Sequence, residues 1–369
     1  MQKFLFISSV LIIFSCADSK VDTPTTPSAI QYTFPEEKNE HEGTWLQWPH
    51  HYQYGETYRD RLDATWVAMA KEIVDVEKLH LIVYDQVEKE RVTNLLVKNN
   101  ISLTNIDFRI YPTDDVWVRD NGPIFVTDSS GKLVIEDWGF NGWGNKAKFS
   151  NCNQIPQKIA NTNGTPVVDL NSVLINEGGS IEIDGSGTMM ATKSSILNNN
   201  RNPNKDQNTV EQTFTKYLGV TNFIWLDGVA SIEITDMHID GFARFFDDKI
   251  ILTMDDQDLS EWQVPSTDIT KLKSAKNAKG EQYSIKTVPL TKENVTTAYG
   301  KKLGFKGSYI NYYILNKKVL VPNYNDPNDS VANAIIQSLY PNRVVVGIDV
   351  RNLYENGGMI HCVTQQQPL

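Results

Sequence analysis

Cys362 lies in the run Asn356-Gly357-Gly358-Met359-Ile360-His361-Cys362-Val363-Thr364. The two glycines permit backbone geometry that other residues resist, and they let a substrate come close to the chain. A cysteine beside Ile and Val is commonly an inert small hydrophobe. One without an evident partner is also a candidate reactive thiol, since the thiolate is the strong nucleophile. A second cluster is His238-Ile239-Asp240. If it is extended, both polar side chains share one face, where an imidazole can move protons and a carboxylate can hold a cation. The third is Asp114-Asp115-Val116-Trp117-Val118-Arg119-Asp120-Asn121-Gly122-Pro123. In an extended segment Trp117, Arg119 and Asn121 share one face, with Val118 and Asp120 on the other. Arg119 and Asp120 read either as a structural ion pair or as groups displayed where a strand breaks. The fourth is Asn176-Glu177-Gly178-Gly179-Ser180, a carboxylate either exposed at a turn or buried for a purpose.

These clusters need scaffolding, and the sequence shows it. Apolar strand-like runs recur at Leu79–Tyr84, Phe108–Tyr111, Ile124–Thr127, Val134–Asp137, Val173–Ile175, Ile181–Ile183, Phe223–Leu226, Ile250–Met254, Tyr309–Leu315, Val319–Val321 and Val344–Val350. Short polar turns near positions 130, 186, 248 and 317 join several of them into hairpins. The turns recur every ~55–70 residues with helix-like stretches between them, which suggests a ring of equivalent α/β units. Tyr58 to Val76 places Leu62, Trp66, Met69, Ala70 and Ile73 on one helical face. Val87 to Val97 and Asp329 to Leu339 show the same periodicity, the latter opened by a capping Asp329 or Ser330.

Of 369 residues, 40% are hydrophobic and 22% charged, with 35 Lys+Arg against 45 Asp+Glu for a net charge of −10. That composition excludes wholesale disorder and a multi-span membrane protein. The acidic balance argues against nucleic acid as a partner, because phosphate contacts need a basic face. Met1-Gln2-Lys3 followed by the apolar run from Phe4 to Phe14 reads as a signal peptide over 1–15, too short to span a bilayer. Ile13-Phe14-Ser15-Cys16 resembles a bacterial lipobox, so Cys16 is the expected lipidation site. Residues 16–30 then form a lipidated N-terminus and polar tether, and 31–369 a single catalytic domain. The expected location is the bacterial cell envelope, exported and lipid-anchored on the periplasmic or outer-membrane side. The histidines lack zinc-ligand spacing such as H-E-x-x-H, and neither G-x-x-x-x-G-K-[ST] nor G-x-S-x-G occurs. No metal is expected.

Taken together and in order, the four clusters resemble the guanidino-group-modifying enzymes, and most closely the agmatine deiminase and bacterial peptidyl-arginine deiminase family. The likeness extends to Glu42-Gly43-Thr44-Trp45-Leu46-Gln47-Trp48-Pro49, Asp137-Trp138-Gly139-Phe140-Asn141-Gly142-Trp143-Gly144, Asn200-Arg201-Asn202-Pro203, Tyr309-Ile310-Asn311-Tyr312-Tyr313 and the terminal Ile360-His361-Cys362-Val363-Thr364-Gln365-Gln366-Gln367-Pro368. The resemblance implies an α/β fold, a five-bladed pseudo-symmetric propeller or pentein-like ring of ββαβ units with the active site at its centre. It implies Cys362 as nucleophile, His238 as general acid/base, and Asp120 and Asp240 as the carboxylates gripping a guanidinium. Glu177 would support the guanidinium and the histidine, while Trp117, Trp48 and Gly358 join Asp120, Asp240 and Glu177 as substrate-binding residues. No cofactor is implied. The expected partner is a small cationic guanidino compound, agmatine in preference to peptidyl-arginine or free arginine, and a homo-oligomer is allowed. The remaining rival is a non-enzymatic lipid-anchored receptor for guanidino or polyamine compounds, which would have no use for Cys362 and His238.

Overall fold

A computed structural model describes residues 32–369. The expected signal peptide, lipidated Cys16 and tether fall on residues 1–31, outside the described ones. Among the described residues no helix is long and apolar enough to cross a membrane.

The fold is mixed α/β and consists of five small sheets, four of them built in the same way. An antiparallel hairpin is followed by helix and then by a third strand parallel to the second. In the first, Ile124–Asp128 and Leu133–Gly139 pair antiparallel, and after the helix Ile155–Asn163 the strand Val167–Ile175 joins in parallel. Ile181–Ile183, Thr188–Thr192 and Asn222–Leu226 repeat the pattern around the helix Gln207–Leu218. Ala243–Phe245, Ile250–Thr253 and Ser284–Thr287 do so around Asp256–Glu261 and Ser266–Lys273. Tyr313–Ile314, Lys318–Asn323 and Val344–Asp349 use the helix Asn328–Leu339. Parallel neighbours require such a crossover, so each polar hairpin turn read in the sequence opens one unit.

The fifth sheet is drawn from both ends of the chain. Gln365–Pro368 pairs antiparallel with His41–Gln47, which is followed by the helix His51–Val74 and the parallel strands Lys78–Val83 and Ile106–Ile110. The long helix buries Leu62, Trp66, Met69, Ala70 and Ile73, the face expected from its periodicity. Caps fix other helices: the Asp85, Asp206 and Asp255 side chains accept from the N–H groups of Glu88, Thr209 and Asp258, satisfying donors the helix cannot. Asp329 does not cap its helix, which starts a residue earlier. Its carboxylate accepts from Tyr324 N and Asp326 N and so pins the preceding loop.

Candidate active site

Each unit contributes to one site from the same place, the turn just before its first strand. A helical turn Val118–Asn121 carrying Asp120 precedes Ile124. The turn Gly178–Ser180, with Glu177 at its start, precedes Ile181. Ile239–Gly241, flanked by His238 and containing Asp240, precedes Ala243. Asn311 precedes Tyr313, and His361–Val363, containing Cys362, precedes Gln365. The Val118–Asn121 turn packs against both the Gly178–Ser180 and His361–Val363 turns, and Gly178–Ser180 against Ile239–Gly241. Two readings based on extended backbone are therefore corrected. His238 and Asp240 lie on a tight turn rather than a strand, and Asp120 lies on a helical turn. Asp236 and Met237, at φ 62° and 72°, bend the chain before His238. Strand alternation cannot hold through such a bend.

The turns bring Asp120, His238, Asp240 and Cys362 onto one cavity of about 780 Å³. Nδ1 of His238 is 3.6 Å from Asp120 Oδ1, and Nε2 is 2.8 Å from Glu177 Oε2. Asp120 accepts from Gly179 N at 3.1 Å and from Trp143 Nε1 at 2.9 Å. Asp240 Oδ2 meets His361 Nδ1 at 2.7 Å. The Cys362 thiol points to Asn311 Oδ1 at 3.5 Å, and the Asn311 amide donates to the Asp240 carbonyl at 3.2 Å. A Cβ on Gly179 would lie 2.7 Å from His238 Nδ1, 2.8 Å from Asp120 Oδ1 and 3.0 Å from Asp240 Oδ2. The missing side chain is what lets these groups converge.

Electrostatics differ from group to group. Burial raises the Asp120 pKa to about 6, with Glu177 and Asp240 adding to it against the His238 charge. Burial opposes the His238 cation, but Asp120 and Glu177 outweigh it and lift its pKa to about 9. Burial also works against Asp240 ionising, yet His361 and His238 hold its pKa below the usual value. Although Cys362 is partly open to the cavity, burial followed by the Asp240 and Asp120 charges pushes its thiol well up.

Glu177 does not line the cavity. It stands behind His238 and receives Arg201 Nε at 2.9 Å and NH2 at 3.2 Å. Arg201 also reaches the buried Asp236, which takes Lys146 Nζ at 2.7 Å. Trp117 lines the cavity and lies against Gly358, where a Cβ would fall 2.2 Å from its ring. Trp48 belongs elsewhere. It is 1% exposed in the core and donates to Asp63 at 2.9 Å, so it is not a cavity residue. Asn311, Trp143, Gly179 and Arg201 were missed as site residues. Their only sequence signal was membership of the resemblance motifs. Among the described residues no group of three or more His, Cys, Asp or Glu side chains is arranged to hold a metal ion.

The family model described as Porphyromonas-type peptidyl-arginine deiminase matches residues 33–368. The agmatine deiminase of Pseudomonas aeruginosa (strain LESB58) is 32% identical over 370 residues, covering 94% of this chain and 99% of that protein. Among solved structures, the Enterococcus faecalis agmatine deiminase superposes with a TM-score of 0.79 at 26% identity, covering 92% of this chain and 96% of that one. The C. jejuni agmatine deiminase with substrate bound gives 0.78 at 25% identity, with the same coverage.

Proposed function

Because the chain belongs to the Porphyromonas-type peptidyl-arginine deiminase family, we propose that it hydrolyses a guanidinium C–N bond, converting agmatine to N-carbamoylputrescine and ammonia. The observation that carries this is the meeting of a thiol, an imidazole and two carboxylates from three units on one cavity. A guanidinium carbon is a poor electrophile because three nitrogens share its charge. Asp120 and Asp240 pair with its N–H groups, fixing the plane and exposing the carbon to Cys362 Sγ. With the cation bound, Cys362 gives its thiol proton to solvent, the thiolate adds to the carbon, and His238 protonates the departing nitrogen, which leaves as ammonia. A thiouronium remains on Cys362. His238, now neutral, takes one proton from water as the oxygen adds, and the C–S bond breaks as the remaining hydroxyl proton passes to sulfur, returning the thiol and releasing the ureido product. Glu177 holds Nε2, which leaves Nδ1 for the proton traffic.

The lining supports agmatine over arginine. Among the described lining residues the cations are His238, already paired with Glu177, and Lys306, which pairs with Glu261 at 2.8 Å, while Asp115, Glu233 and Glu261 are acidic. An arginine carboxylate would find no unpaired cation there, whereas agmatine presents an amine. The cavity's volume of about 780 Å³ supports a second reading, an arginine side chain within a peptide, giving citrulline. Incubating residues 17–369 with agmatine, arginine and an arginine peptide, and measuring ammonia and ureido product, decides between them. Turnover of the peptide but not agmatine would overturn the substrate choice.

The proposal extends to architecture and address. The five sheets form a ring about a pseudo-five-fold axis, supported by the repeated unit and by pairing of the two chain ends. The protein is exported and anchored by lipid on Cys16, supported by the leader sequence. Loss of membrane fractionation in Cys16→Ala tests the anchor.

A further inference from the structure

His361, beside the nucleophile, is absent from the cavity lining. With Glu37, Arg119 and Arg244 it lines a separate small hollow. Its ring is held at both nitrogens by carboxylates, Nδ1 to Asp240 Oδ2 at 2.7 Å and Nε2 to Glu37 Oε2 at 2.8 Å. Glu37 is fixed in turn. Its Oε2 receives Arg244 NH2 at 3.0 Å and Arg119 NH2 at 3.5 Å, and its Oε1 receives Ile314 N at 2.9 Å. Arg119 also donates to the His361 carbonyl at 3.3 Å. Burial opposes the Glu37 charge, but Arg244 and His361 hold its pKa well below the usual carboxylate range.

We propose that Glu37 is a positioning residue, acting through His361 to aim the Asp240 carboxylate at the substrate and to fix the turn that carries Cys362. The inference rests on the guanidine-hydrolase reading above. An imidazole bonded at one nitrogen can swing about that contact, whereas one held at both cannot. With Oδ2 occupied, the plane of Asp240 is set and its other oxygen is left for a guanidinium N–H. The same ring precedes Cys362 by one residue, so a displaced His361 moves the nucleophile as well. A carboxylate brought to this depth costs several kcal/mol unless it is paired. The two arginines stabilise Glu37, and one of its contacts remains for the ring.

A network serving stability alone makes different predictions. Groups facing the His361 ring are Asp240, Glu37, Glu182, Arg119 and the Tyr313 ring, with Arg244 beyond Glu37. In Glu37→Gln the ring loses its anionic partner and Asp240 loses part of the support for its charge. We expect kcat/KM for agmatine to fall on the order of 10- to 100-fold, split between a raised KM, through the misaimed Asp240, and a lowered kcat, through the turn that carries Cys362. In His361→Asn an amide can still donate to Asp240 but cannot reach Glu37. Adding Glu37→Gln to that variant should then change kcat/KM no further. Multiplying effects in the double variant would show that Glu37 does not act through His361. A folded Glu37→Gln with kcat and KM both unchanged would overturn the proposal too. Should Glu37→Gln fail to fold, His361→Asn alone decides, because unchanged kcat and KM there overturn it. A wild-type enzyme inactive on every guanidino substrate would sink the parent reading, and this one with it.

Discussion

Gly179→Ala adds one carbon at the point where three catalytic candidates converge. The new Cβ would sit 2.7 Å from His238 Nδ1, 2.8 Å from Asp120 Oδ1 and 3.0 Å from Asp240 Oδ2. The nearest contact is about 0.7 Å short of ordinary van der Waals separation. None of the three can retreat freely, since Trp143 and Gly179 N hold Asp120, Glu177 holds His238, and His361 holds Asp240. The φ of Gly179 lies outside the left-handed range, so the backbone accepts alanine and the damage is steric. Misplacing reacting groups by up to ~1 Å costs about 100-fold in rate, while overpacking costs about 1–3 kcal/mol of stability. Gly164→Ala is the matched control. Gly164 ends the helix Ile155–Asn163 at φ 69° with nothing within 4 Å of the added carbon. There alanine should cost about 1–2 kcal/mol through backbone strain and leave kcat/KM alone. Ammonia release and urea unfolding on both variants give the comparison. Gly179→Ala with kcat/KM within a few-fold of wild type would refute the claim that this glycine makes room for the chemistry.

The pH profile of kcat/KM should be bell-shaped. Below about 6 Asp120 takes a proton and loses its grip on the cation, and above about 9 His238 loses the proton the leaving nitrogen needs. A profile still rising at about pH 10 would contradict these assignments. Cys362→Ala should lose at least ~1,000-fold in turnover yet bind agmatine within a few-fold of wild type by calorimetry, because both carboxylates remain. Arg201→Ala leaves buried Glu177 with His238 and Asp236 with Lys146 as their remaining cations and should lower unfolding stability by about 1–3 kcal/mol. Arg201→Lys should recover only part of that, since an ammonium lacks the fork that spans Glu177 and Asp236.

Legibility in the sequence followed locality. The four hairpin turns and the buried face of His51–Val74 depend on neighbouring residues, and both were readable. The fifth hairpin was not, because Gln365–Pro368 and His41–Gln47 come from opposite ends of the chain. His238, Asp240, Asp120 and Cys362 announce themselves by residue type, but the extended backbone considered for the first three is replaced by turns. Asp236 and Met237 adopt positive φ, a choice driven by tertiary contacts to Arg201 and Lys146 rather than by propensity. Tyr309–Leu315 reads as one strand, yet only Tyr313–Ile314 pairs. The residues before it form the loop that presents Asn311, and an apolar run alone does not distinguish the two. Trp48 carried a resemblance to the family's tryptophan-rich segment, and sequence could not tell that its ring faces Asp63 rather than the cavity.

The acidic cluster has a consequence for the order of events in the proposed reaction. Burial and then Asp240 and Asp120 hold Cys362 as a thiol. The same carboxylates are the ones a guanidinium would neutralise. Bound substrate therefore brings a positive charge to the point where the thiol's negative neighbours act, and it favours the thiolate just when the carbon to be attacked is in place. Recognition and activation become one electrostatic step, so a neutral compound of the same shape should bind poorly and also fail to ionise the nucleophile. The ureido product carries no charge at the group that sat between Asp120 and Asp240. Once it forms, the carboxylates lose their counter-ion, the thiol recovers its proton, and the attraction that held the guanidinium is gone, leaving only that of the amine. The site thus binds the charge that the reaction destroys, which gives product release the direction that catalysis by differential binding requires.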